Sequence, residues 1–178
     1  MRVIREVRPH VVTTYDENGG YPHPDHIMTH RVTMAAVEAA GDPERFEHAG
    51  EPWQPLKLYY DRAFDLDRLQ ALHAALTAKG LESPFAERIA RRLEARDTEG
   101  NDSAPNKHVT TTKIHCADCF PVRDEALRAH ATQVAPESWF FAMSPQDQAA
   151  AWPWEDYVLI DSRVEVDLPE HDLFNGVR

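Results

Sequence analysis

Basic residues are in short supply in this chain. Its 19 Lys and Arg stand against 30 Asp and Glu, a formal net charge of -11 at pH 7. A nucleic-acid backbone or an anionic membrane surface would meet net repulsion, so neither is the expected partner. A small substrate is not excluded, because a local basic pocket can sit in an acidic surface. Cysteine is nearly missing, with only Cys116 and Cys119 among 178 residues. Two thiols cannot complete a four-ligand structural zinc site, and they make no disulfide framework. Their C-x-x-C spacing leaves redox use open, but two ordinary reduced thiols are the plainer reading. Long apolar runs are also missing, and none approaches a membrane span. The first eight residues carry Arg2, Arg5, Glu6 and Arg8, too much charge for a signal peptide. A cytoplasmic protein is the default expectation.

Hydrophobic residues make up 42% of the chain. That is enough for a core, and the length suits one domain over 1–178. Val3, Ile4 and Val7 predict the end of a helix stopped by Pro9. His10 to Tyr15 is short and β-branched, as a buried strand of a parallel sheet would be. Asp16 to Tyr21 reads as a glycine-bearing loop, and His26 to Ala40 as a helix ended by Gly41. Leu56 to Tyr60 predicts a strand. Asp65 to Lys79 and Pro84 to Ala95 predict helices, and 97–107 a mobile loop. His108 to His115 predicts a strand, Pro121 to Gln133 and Ser144 to Ala151 helices, and Tyr157 to Val166 a strand before an irregular tail. Strands alternating with helices indicate an α/β fold. The strands are too few to close a doubly wound sheet.

The chemistry concentrates in His23-Pro24-Asp25-His26, where a loop enters a helix. His23 and His26 are three apart and can share one side of a turn. Asp25 can orient an imidazole and fix its tautomer. The helix N-terminus favours an oxyanion. His30 stands four beyond His26. Three imidazoles suffice on paper for a catalytic zinc, but the glutamate beside the first histidine of the usual helical pair is missing. One or two ligands here, with others from another loop, is the better metal reading. Loop histidines that merely cap or pack are the alternative. His130, Trp139-Phe140-Phe141 and the Arg88, Arg91 and Arg92 face read as surface or packing groups.

The run Gly19-Gly20-Tyr21-Pro22-His23-Pro24-Asp25-His26-Ile27-Met28-Thr29-His30-Arg31 resembles the downstream motif of the LmbE/PIG-L superfamily of zinc-dependent amide hydrolases. It is most similar to the branch that cleaves mycothiol S-conjugates. Further blocks agree in order: 51–60, 127–133, 139–142 and 168–174. The resemblance implies a Rossmann-like α/β domain and one zinc ion. It implies His26 as a zinc ligand, His23 as oxyanion stabiliser or proton donor, Asp25 as the tuner of its neighbour, and Tyr21 as a polariser of the carbonyl. The implied substrate is a small-molecule mycothiol conjugate, split into a mercapturic acid and glucosaminyl-inositol. The deacetylase of the N-acetylglucosaminyl-inositol precursor is the alternative. The superfamily's N-terminal H-P-D-D-E motif, with the other zinc ligands and the general base, does not occur here. The expectation is therefore the C-terminal part of the domain, without its N-terminal strands and first zinc motif. Such a chain would be inactive alone, and would self-associate or pair with a missing N-terminal half. A non-catalytic remnant is the rival from another class.

Overall fold

A computed structural model describes residues 1–63, 65–98 and 108–178, and the side chains of 95–98 fall outside that description. The elements are α1 (Arg2–Val7), β1 (Val11–Thr14), α2 (Pro24–Ala40), β2 (Lys57–Asp61), α3 (Leu66–Ala78), α4 (Ala86–Thr98), β3 (Thr112–His115), α5 (Phe120–Arg128), α6 (Pro145–Ala151) and β4 (Trp154–Ser162). The fold is α/β, as expected. Its sheet has the order β1-β2-β4-β3. Strands β1 and β2 are parallel, with Val11 opposite Lys57 and Thr14 opposite Tyr60. Strand β4 runs antiparallel to β2 and carries an irregularity opposite Leu58 and Tyr59. The sheet is thus mixed, and among the described residues β1 pairs with β2 alone.

The chain divides into two compact units: Met1–Ala63 with His108–Lys113 and Asp156–Arg178, and Phe64–Lys107 with Ile114–Glu155. Two buried cations organise the first. Arg5, in the short helix α1, is 3% exposed. Its guanidinium donates to the carbonyls of Ala39, Ala40, Asp42, Arg45, Phe46 and Gly50. Carbonyls at a helix C-terminus have no partner within the helix, and a cation there also meets the negative end of the dipole. Arg5 therefore closes α2 and folds the following loop around itself. The sequence pattern concealed this, because an arginine in a last helical turn usually reaches solvent.

Lys57 on β2 is the second cation. Its Nζ lies 2.7 Å from Glu170 Oε2, and both side chains are 0% exposed. Glu170 also accepts from Tyr59 Oη and Thr112 Oγ1, and Lys57 reaches the Asn175 carbonyl. Burial and the Glu170 hydrogen bond hold the Tyr59 phenol far above its ordinary pKa. The carboxylate thus pins the irregular tail onto the sheet through a charge-assisted network.

In the second unit, Leu69, Leu72 and Leu76 line one face of α3 at helical spacing and pack with Phe85 and Met143. Asp65 and Ser144 cap α3 and α6 with their side chains. Some predicted boundaries move. Helix α2 begins at Pro24, with His23 as its cap. Helix α5 stops at Arg128 rather than Gln133: the chain tightens into turns through His130 N–H to Leu127 O, with Pro136 ahead. Strand β3 starts at Thr112 rather than His108, and just before it the Thr111 hydroxyl accepts from Leu159 N–H. Helix α4 runs to Thr98, into the span expected as a loop. Residues 99–107 of that span lie outside the described residues.

Glu170→Ala strands a buried ammonium and is expected to cost about 3–5 kcal/mol in chemical denaturation. Glu38→Ala removes the exposed partner of Arg45 and should cost under about 1 kcal/mol. Equal losses in the two variants would contradict the buried network.

Candidate active site

Strand β1 ends at Thr14, and the loop that follows is shaped by Asp16. The Asp16 carboxylate is buried and accepts from Asn18 N–H at 3.0 Å and Gly20 N–H at 2.8 Å. Its carbonyl takes Gly19 N–H at 2.9 Å. Gly19 and Gly20 stand at φ +74° and +72°, a region glycine enters at little cost. A Cβ on Gly19 would fall 2.7 Å from His26 Cβ, while one on Gly20 would meet Tyr15 Cδ1 at 3.7 Å. The loop can therefore lie against the start of α2 only with glycine at 19.

This close approach places the Gly19 carbonyl 3.0 Å from His26 Nδ1. A carbonyl only accepts, so Nδ1 carries the proton and the lone pair of neutral His26 is on Nε2. The Tyr15 ring stacks flat on the imidazole at 4.1 Å and 11°. Tyr21 meets its edge at 4.7 Å. Position, tilt and tautomer of His26 are all determined.

His23 has the opposite arrangement. It caps α2, and its Nδ1 accepts from Asp25 N–H at 3.2 Å. A backbone N–H only donates, so neutral His23 carries its proton on Nε2. The two rings are 5.5 Å apart, and Tyr21 lies 5.9 Å from His23. The four residues singled out from the sequence, Tyr21, His23, Asp25 and His26, thus meet at one helix start. Within them Asp25 acts on His23 through its backbone. Its carboxylate is 4.0 Å from His23 Nδ1 and 90% exposed.

His30 turns elsewhere. Its Nδ1 donates to the Tyr15 carbonyl at 2.9 Å and its ring meets Tyr60 edge-on at 5.4 Å. The Tyr15 phenol is raised by burial and then by Asp61, and the Tyr60 phenol by burial and then by Glu17 and Asp16. No group of three or more His, Cys, Asp or Glu able to hold a metal ion occurs among the described residues. His26 Nε2 suits one ligand position, but a catalytic zinc needs three protein ligands. The described residues alone do not fit zinc.

Spacing did not reveal Asp16 as the loop's organiser, Tyr15 as a stacking plate, or the Glu17–His108 contact. The first two were legible only as a polar residue and an aromatic at a strand end. In the second unit, Cys116 and Cys119 are free thiols, and burial followed by Glu155 raises that of Cys116. That is the reverse of a reactive thiolate. His130 is exposed, and Arg88 lies 4.1 Å over the Trp139 ring rather than in free solvent.

Comparison with known proteins agrees with the motif. Residues 1–37 match the family model described as PIG-L: GlcNAc-PI de-N-acetylase. The whole chain is 49% identical over 180 residues to mycothiol S-conjugate amidase of Streptomyces coelicolor, of which it spans 59%. It is 39% identical over 162 residues, 89% of its length, to 1D-myo-inositol 2-acetamido-2-deoxy-alpha-D-glucopyranoside deacetylase 1 of Frankia alni, of which it spans 53%. Against the deacetylase of Rhodococcus opacus it is 42% identical over 180 residues, 98% of its length and 57% of the relative. The chain spans somewhat over half the length of these relatives. The resemblance to LmbE/PIG-L proteins is borne out.

Gly19→Ala is expected to destabilise the chain by about 2–3 kcal/mol, from the positive φ and the clash with His26. Gly20→Ala carries the backbone term alone, about 1 kcal/mol. Urea unfolding of both variants checks the order, and equal costs would remove the close approach as the reason for glycine at 19.

Proposed function

Taking as premise this chain's kinship with the PIG-L amidases and deacetylases, we propose that it is part of an amide hydrolase acting on mycothiol S-conjugates. The observation that carries the reading is the pair of imidazoles in opposite tautomers at the start of α2. Amide hydrolysis adds water to the carbonyl carbon, gathers charge on the oxygen, and breaks C–N as the amine takes up a proton. His23 Nε2–H is a donor for either the oxygen or the departing nitrogen. The Tyr21 phenol, partly exposed beside it, is a second donor to the oxygen. The first turn of α2 adds its positive end. His26 offers the Nε2 lone pair that a donor residue lacks. Stacking on Tyr15 and the Gly19 carbonyl keep it in place without substrate.

Zinc, which the resemblance implies, belongs to this proposal only for a complete site. His26 Nε2 would be one ligand, with the others supplied from outside the described residues. The Rossmann-like domain of the full enzyme would be completed beside β1, whose other edge pairs with no strand among the described residues, by a segment like the part of the relatives that this chain does not span. The substrate is the small-molecule conjugate. Identity to the amidase, at 49%, exceeds the 42% to the Rhodococcus opacus deacetylase. The blocks at 139–142 and 168–174 favour the same choice. Deacetylation of N-acetylglucosaminyl-inositol is the second reading, favoured by kinship with deacetylases along nearly the whole chain.

The test mixes the purified chain with the segment of the Streptomyces coelicolor amidase that it does not span, and assays both substrates with zinc present. Faster cleavage of the S-conjugate is expected, and faster deacetylation would reverse the substrate assignment. His23→Ala should lower kcat by roughly 10²–10⁴-fold with zinc content unchanged. His26→Ala should lose the metal. The chain alone should hold zinc well below one equivalent, so stoichiometric zinc with turnover would overturn the incomplete-site part of the proposal.

A further inference from the structure

His108 lies 91 residues from Glu17 in sequence, and its Nε2 is 2.9 Å from Glu17 Oε2. The imidazole side is 20% exposed and the carboxylate 39%. A carboxylate only accepts, so Nε2 carries the proton. The His108 ring also meets the Tyr60 edge at 5.2 Å, and Tyr60 meets His30 on α2. Glu17 is the second residue of the turn that Asp16 organises and that ends in the Gly19 carbonyl. The loop is thus gripped from two sides: Asp16 holds its amides from within, and His108 holds its side chain from the segment leading into β3. Without His108, Glu17 would lose this hydrogen-bonding partner while remaining beside the like-charged Asp16. The turn would then be held less firmly on the His108 side.

We propose that His108 is a positioning residue for the hydrolytic site, acting on His26 through Glu17 and the glycine loop. It rests on His26 being an operative group of the proposed reaction. It touches no substrate. Its work is to keep the Gly19 carbonyl where His26 Nδ1–H can use it, and so to keep the lone pair on Nε2.

Amide hydrogen exchange on the purified chain tests this independently of turnover. In His108→Ala and in Glu17→Ala, exchange at Gly19 and Gly20 should rise roughly three- to tenfold, the effect of one partly screened charge-assisted bond. Exchange in β2, at Leu58 and Tyr59, should stay unchanged. Glu17→Gln keeps an acceptor for Nε2–H and should remain within about twofold of the parent. The double alanine variant should equal Glu17→Ala, because His108 acts on the loop only through Glu17. In the reconstituted enzyme, His108→Ala should lower kcat and leave KM unchanged.

Unchanged exchange at Gly19 and Gly20 in His108→Ala would overturn the proposal, as would an equal rise throughout β2. If His108→Ala does not fold, the Glu17→Ala and Glu17→Gln pair carries the test alone. An enzyme without turnover in every form, yet with the exchange pattern intact, would defeat the proposed reaction and leave the positioning link standing.

Discussion

His26 Nδ1 donates to the Gly19 carbonyl, and it can do so only because residue 19 has no Cβ and stands at positive φ. The direction in which α2 leaves the loop, the stacking of Tyr15 on His26 and the capping of the helix by His23 are compatible with that one approach. It also decides chemistry. The bond consumes the proton-bearing nitrogen of one imidazole, while the helix cap consumes the lone pair of the other. Two identical side chains three residues apart therefore present opposite functions, a lone pair and an N–H, with no change in residue type.

Buried charge holds this arrangement to the sheet. Arg5 gathers six carbonyls at the far end of α2, so the helix that starts at the site is closed at its other end. Lys57 and Glu170 hold the tail against β2, the strand beside β1. Such pairs add little net stability over an apolar core, but losing one partner is costly. Alternative packings of α2 or of the tail would leave an arginine, lysine or glutamate buried without partners.

The local parts of this design were legible in the sequence, and the long-range parts were not. The strand-loop-helix order, the first-turn proline and the two histidines follow from short-range rules that act within a dozen residues. Gly19 and Gly20 were legible as conformational freedom, though not as the means of delivering a carbonyl to His26. Lys57 and Glu170 are 113 residues apart and each reads singly as a surface charge; only folding makes them a pair. Arg5 was concealed for the same reason. The end of α5 was misjudged where local turns and a later proline outweighed helix propensity. Three-residue spacing suggested that His23 and His26 share a face, and they do come together, but the spacing carried no information about which nitrogen each would use.

The most direct test of the account is the tautomeric state of the two imidazoles, read from ¹⁵N chemical shifts of the purified chain at about pH 8, where an unperturbed histidine is neutral. The account predicts the proton of His26 on Nδ1 and that of His23 on Nε2. Finding His26 protonated on Nε2, or both rings in the same tautomer, would contradict it.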